Sequence, residues 1–456
     1  MENGELLVLY EKGAMTFSSQ QTARRRQCVG FMLLMVCLVT GGISSPVLSA
    51  TIGIPGFTPQ HQQGDREYHR GVDALSRGQA DEAKQAFQNV LQSMPDHVGA
   101  LIGLAEIALR QQRSQEAETY LRHALRVAPN NITIHQIWGK YLVAQGRFAE
   151  AEAAFRRGLS LDPQFFALYI DLGDLYLQKL HRPDDAITVY KQALDLRPQD
   201  PKVHYALGIA LLTVKNLPQA QYHFEQASQL APTNPLPFLA LGRLHSIQQQ
   251  YEQALKAFAG ALTAHPRLAE AHIARGDIYT ILGQDARALQ EYESAQHLAP
   301  QRATISVKIG LLHERNHRLP QAIKAFEQAI ALDPSQPIAL NNLAWISTLQ
   351  KSRLDEALTW AQQAIKLAPQ VAAFHDTLGW VHRARGELHK ALQALRHAVT
   401  LPPPQADIYY HLGVVLEELG KPSQALAAFR KALELDQEFP EAADTRKRLE
   451  TLEAPH

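Results

Sequence analysis

From Gly64 to Glu438, apolar residues recur at steps of three and four, the period of helices that bury one face. Prolines punctuate this pattern at 34- or 35-residue intervals: Pro95, Pro129, Pro163, Pro198, Pro232, Pro266, Pro300, Pro334, Pro369 and Pro403. One further step reaches Gln437, where the phase continues without proline, so the register defines eleven units. With the proline at position 32, position 8 is always Gly or Ala, for example Gly71, Ala105, Gly139, Gly276 and Ala344. Position 20 is Ala, shifted by one in the two longer units to Ala186 and Ala357. Position 24 is usually aromatic or Leu, as in Phe87, Leu121, Phe155, Tyr292 and Phe429.

This pattern predicts two antiparallel helices per unit. Small residues at 8 and 20 let the two axes approach, and the residue at 24 fills the space between neighbouring units. Proline at 32 stands beyond the second helix, which it cannot continue. No unit can bury its apolar face alone, so stability comes from stacking.

These features resemble the tetratricopeptide repeat. Tyr169 to Tyr176, "YIDLGDLY", with Ala186, Tyr190 and Pro198, matches its pattern, as does "YHLGVVL" with Ala425 and Phe429. The resemblance covers residues 64–438. It implies an all-α, right-handed α-solenoid whose first helices line a groove, and it implies binding of partner proteins or peptides. Residues 439–456 read as a capping helix and tail, with Arg446, Lys447 and Arg448 supplying the polar face a terminal cap needs. In this family, positions 2, 5, 9, 12 and 13 of the first helix face the groove. By phase, unit nine presents Asn341, Trp345 and Thr348. Unit ten presents Asp376, Trp380 and Arg383, and unit eleven Asp407, Tyr410, Glu417 and Glu418. Asn341, Trp345, Asp376, Trp380, Arg383 and Tyr410 form the best candidate patch, because Trp and Arg are typical interface anchors. The bland alternative is that the tryptophans pack on the neighbouring first helix. Earlier groove positions alternate in charge, and the Lys/Asn pattern of carboxylate-clamp members is not evident.

The N-terminus reads as an address. Arg24–Arg26 precede "CVGFMLLMVCLVT", then "GGISSPVLSA" ends at Ala50. Basic, apolar and small-residue regions in that order describe a secretory signal, with an uncleaved membrane anchor over residues 28–50 as the alternative. Both readings leave the arginines inside and send the remainder across the membrane, to a bacterial periplasm. Starting at Met15 gives a more ordinary signal than Met1. Cys37 lacks the small residues expected before a lipidated cysteine. Residues 51–63 carry no acidic, Lys or Arg side chain and read as a linker.

Charge narrows the partners. Lys plus Arg is 45 and Asp plus Glu is 45, a zero balance that argues against nucleic acid, which demands a basic face. Only Cys28 and Cys37 are present, so the body has no thiolate site. No phosphate-binding loop or G-x-S-x-G appears, and no cofactor is expected. One motif points to an enzyme: His313, Glu314 and His317 in "HERNH" match the H-E-x-x-H of zinc peptidases. By phase, however, His317 falls at position 15, in the turn between helices, which breaks the required spacing, and no separate catalytic domain surrounds it. Twenty histidines read as scattered, partly exposed side chains, including His375, His382, His389 and His397. "NNLAW" and "DTLGW" also resemble late repeats of exported proteins of exopolysaccharide and envelope assembly. The expected function is therefore a non-enzymatic exported scaffold for protein or peptide partners. Polysaccharide stacked on Trp345 and Trp380 is the second reading and a zinc peptidase the third.

Overall fold

The computed structural model describes residues 59–454, and every secondary-structure element among them is helical. The expectations of a signal or anchor, of the start at Met1 or Met15, and of a linker as far as residue 58 lie outside the described residues. The opening helix, Pro59–Ser76, begins five residues before the first unit's register and so takes up the end of the expected linker.

The predicted register holds throughout. Each first helix after the opening one covers positions 1 to 13, as in Val98–Arg110, Ala303–Arg315 and Pro337–Leu349. Most second helices start at position 17, as in Ser114–Val127 and Leu319–Leu332. In the two 35-residue units the extra residue lies in the turn between the helices, before Pro183–Leu196 and Leu354–Leu367. The chain forms two compact bodies, one ending at Leu230 and one beginning at Ala231. The first contains units one to five. The second contains units six to eleven and the capping helix Ala442–Glu453.

The two small positions have distinct jobs. Position-20 alanines such as Ala83, Ala117, Ala254 and Ala322 are wholly buried, where their methyl groups let the paired helices close up. Except in unit ten, where Gly379 lies under Leu395, position-8 glycines lie under the aromatic ring at position 24 of the same unit: a Cβ on Gly139 would come within 2.2 Å of Phe155, and one on Gly276 within 2.5 Å of Tyr292. The ring also reaches the following unit, since a Cβ on Gly103 would come within 2.4 Å of Phe87. Residue 24 therefore packs within its own unit as well as between units. Where position 8 is Ala, the opposing residue is not aromatic: Ala105 faces a unit with Leu121, and Ala344 one with Ala361.

Position 15 is left-handed in every unit that has a three-residue turn. Gly78, Gly146, Gly283, Gly386 and Gly420 occupy it, and so do Gln112, Lys215, Gln249 and His317, the last four with φ between 55° and 60°. The first helix ends there in a Schellman cap, which recovers carbonyls that would otherwise lack donors. In unit eight, His317 N–H donates to Glu314 O at 2.9 Å, and Arg318 N–H donates to His313 O at 2.9 Å.

Candidate functional site

The first helices of units nine to eleven, Pro337–Leu349, Ala372–Ala384 and Ala406–Glu418, carry the predicted patch. Its centre is a residue the sequence pattern did not single out. His411 is 5% exposed. Its Nδ1 lies 2.8 and 2.9 Å from the two carboxylate oxygens of Asp376. Its ring centroid lies 4.0 Å from that of Trp380, tilted 33°, and 5.7 Å from that of Trp345. Tyr410 lies 5.6 Å away on the same helix. Trp345, Asp376, Trp380 and Tyr410 thus gather around one imidazole.

Two forces act on the His411 proton. Burial disfavours the imidazolium, while the charge and hydrogen bond of Asp376, with Asp407 and Glu441 beyond, favour it. The carboxylates prevail and His411 is held above the ordinary histidine range. A protonated ring against two tryptophans also gains cation–π attraction. Burial, with the Asp376 charge adding, pushes the Asp407 carboxyl up against the pull of His411.

The remaining candidates divide. The Arg383 guanidinium lies over Trp380, 4.4 Å from the ring centroid, and its Nε donates to both Glu418 oxygens at 3.0 and 3.1 Å. Tyr410 leans toward the cap. It packs on Phe429 and Phe439 and donates its hydroxyl to Asp444 at 2.8 Å, and burial with the Asp444 charge pushes that hydroxyl up to about 12. Asn341 joins no part of the cluster. It is buried, its amide donates to Asn342 at 3.4 Å, and its Oδ1 has no partner. Trp345 and Trp380 remain half-buried, so they pack on the next first helix and still reach the surface. With His411 and Arg383 against it, the Trp380 ring is largely occupied, which leaves little of it for a sugar to stack on.

A rule of the repeat explains His411. Position 6 of one unit receives positions 5 and 9 of the unit before. Asp171 accepts from Gln136 at 2.6 Å and pairs with Lys140 at 3.2 Å. Lys308 pairs with Asp277 at 2.6 Å. Asp376 and Trp380 meet His411 in the same way. Some of the charges that alternate along the groove are therefore partners across units, Lys308 with Asp277 and Glu270 with Arg302 at 3.1 Å.

The HERNH segment is a helix terminator. Its helix ends at Arg315, and His317 is the left-handed residue beyond it, so the two histidines do not share a helical face. Among the described residues, no three His, Cys, Asp or Glu side chains are grouped to hold a metal ion. Of the histidines singled out in the sequence, His389 and His397 are exposed, but others are less exposed than their scatter suggested. His204, His245, His375 and His382 are buried. Nε2 of His135, His204 and His375 lies 2.8 to 2.9 Å from the carbonyl of the proline six residues earlier, and a carbonyl can only accept, so that nitrogen carries the proton. These rings, all at position 4, fasten the turn between units. Tyr169 does the same for Pro163 at 3.0 Å.

Comparison with known proteins agrees with this register. Family models described as tetratricopeptide repeat match residues 74–137, 138–180, 239–303, 307–372 and 406–439, and TPR repeat models match 182–214 and 379–420. The chain belongs to the tetratricopeptide repeat family. Among curated proteins it is similar to Protein O-mannosyl-transferase TMTC3 of Mus musculus, 27% identical over 150 residues, which is 30% of this chain and 16% of that protein. It is also similar to Protein CTR9 homolog of Arabidopsis thaliana, 34% identical over 110 residues, 24% of this chain and 10% of that protein. The chain thus spans about a sixth or less of the length of these relatives. A solved structure of the APC/C hetero-tetramer Cut9-Hcn1 is 15% identical, with 85% of this chain and 96% of that chain covered at a TM-score of 0.46. The repeat is a scaffold for interactions between proteins and is generally not catalytic. The transferase in the first relative's name belongs to a protein of which this chain matches a small part.

Proposed function

We propose that this protein is a non-enzymatic adaptor that holds a protein or peptide partner on the first-helix face of units eight to eleven. The observation that supports this most is the His411 cluster. An Asp–His pair and two half-buried tryptophans lock three consecutive first helices together and still present ring edges and Arg383 to the outside. Preorganised aromatic and arginine side chains are the groups that most often anchor a partner. The protein works in an exported setting, a bacterial periplasm or envelope assembly system. Support for this comes from the basic-then-apolar order of residues 24–50 and from a body without cysteine.

A crosslinked pull-down from the native envelope tests the reading. Trp380 packs on a buried residue, so the informative variant is Trp345→Ala with Arg383→Ala, checked for unchanged helicity. Partners held by the unaltered chain and lost from the variant support the patch. Partners retained equally move the site elsewhere on the solenoid.

A further inference from the structure

Glu314, the glutamate of the HERNH segment, is a groove carboxylate without a cation. It occupies position 12 of the unit-eight first helix. The other charged residues at this position in this body, Arg383 and Glu417, are paired across units. Arg383 of unit ten pairs with Glu418, at position 13 of the next first helix. Glu417 of unit eleven pairs with Arg448, nine residues into the capping register, at 2.6 Å. The positions that correspond for Glu314 are Leu349 at position 13 and Trp345 at position 9 of unit nine, and neither carries charge. The neighbouring cations are committed elsewhere. Arg315 pairs with Asp285 and donates to Thr280 O at 3.1 Å, and Lys308 pairs with Asp277. Burial alone pushes the Glu314 carboxyl up to about 7.

Of the two apolar positions, Trp345 is half-buried and Leu349 reaches the surface. Leu349 is 53% exposed. Trp345 has no arginine of its own. Where Arg383 covers Trp380, unit nine has Thr348, whose hydroxyl turns inward to Ala344 O at 2.7 Å. Position by position, unit eight to nine presents an acid, a half-buried indole with no arginine over it and an exposed aliphatic chain where unit ten to eleven has a closed salt bridge with a cation over its indole.

We infer that Glu314, Trp345 and Leu349 form a receptor for a lysine or arginine side chain of a partner peptide, which supplies the cation that this step of the solenoid lacks. A carboxylate pairs with the charged head, the indole face attracts it, and Leu349 covers the aliphatic stem. This rests on the peptide-binding reading above and names the residue type that reading would select.

The test is a selection of random twelve-residue peptides displayed on phage against the full chain, repeated with Glu314→Gln. The expected result is enrichment of Lys or Arg at one peptide position, lost with Glu314→Gln, and at least a tenfold weaker Kd of the best peptide for the variant. Leu349→Arg supplies the cation internally and is expected to weaken the same peptide equally while raising the thermal midpoint. Peptides that bind without a basic preference, or bind Glu314→Gln equally, overturn the inference and leave the adaptor reading intact. Failure to select any peptide overturns the inference, and the pull-down then judges the adaptor reading separately. Self-association abolished by Glu314→Gln would assign the site to a second copy of the chain and overturn the peptide assignment.

Discussion

At the scale of single residues, the repeat exposes correlated choices that no one position reveals. Tyrosine replaces phenylalanine at the ring position in units four and seven, and in both an aspartate stands on the groove side of the same unit. Tyr190 donates to Asp174 at 2.6 Å, and Tyr292 to Asp277 at 2.7 Å. A buried hydroxyl must find an acceptor, and burial pushes the Asp174 carboxyl up against the opposing pull of the Tyr190 hydrogen bond. Tyr190→Phe is therefore expected to cost about 1–2 kcal/mol, and Asp174→Leu to cost less in the Phe background than in the original one. A double-mutant cycle by urea unfolding measures that coupling. Glu314 gives a prediction of opposite character. Its unfolded-state value is 4.5 and its folded value about 7, so between these the folded chain holds a proton that the unfolded chain does not. Stability then falls as pH rises through this window, and the penalty is fully present above about 7. Glu314→Gln should raise stability by about 1–2 kcal/mol at pH 8, a figure reduced because the carboxyl keeps contact with solvent, and should leave it unchanged at pH 4. Paired unfolding curves at the two pH values check the sign.

At the scale of helices and turns, much was legible and some was not. The period, the two-helix unit, the small residues and the ring position all follow from spacing. What spacing did not show is which small residue meets which large one. Gly139 is required because Phe155 occupies the space a methyl group would take, whereas Ala105 is compatible with the branched chain of Leu121. Gly139→Ala is expected to cost about 1–3 kcal/mol, and much less in a chain that also carries Phe155→Leu, as thermal midpoints would show. The turn explains the failed metal motif. H-E-x-x-H needs five residues of continuous helix, but a 34-residue register places a left-handed cap at the second histidine. A side chain in that conformation costs roughly 1 kcal/mol, so His317→Gly should stabilise the protein by about that amount. Denaturation midpoints test this, and a loss of stability would show that the ring makes a contact worth keeping.

At the scale of the molecule, a solenoid unit is only as stable as its neighbours. The capping helix Ala442–Glu453 closes unit eleven through Tyr410 with Asp444 and Glu417 with Arg448, and Phe439 packs beneath it. Deleting residues 440–456 should therefore leave the helices of units ten and eleven exchanging their amide hydrogens faster, with little change in unit seven, in a hydrogen-exchange experiment. The candidate site shows where pattern stops being enough. Phase placed Trp345, Asp376, Trp380 and Tyr410 on one face, yet His411 was missed. It lies at position 6, outside the groove positions carried from the family, and only the packing of one first helix on the next makes that position a hub. Asn341 shows the converse, a residue that phase selects and packing leaves apart from the cluster. The central claim is that partners are held on the first-helix face beside this cluster. Site-specific photocrosslinking in native cells tests it most directly, comparing a crosslinker at Leu349 with one at Lys324, which is exposed on the second helix of unit eight. The account predicts a discrete adduct from position 349 and none from 324. Adducts from 324 alone would place the partner on the opposite helices and contradict it.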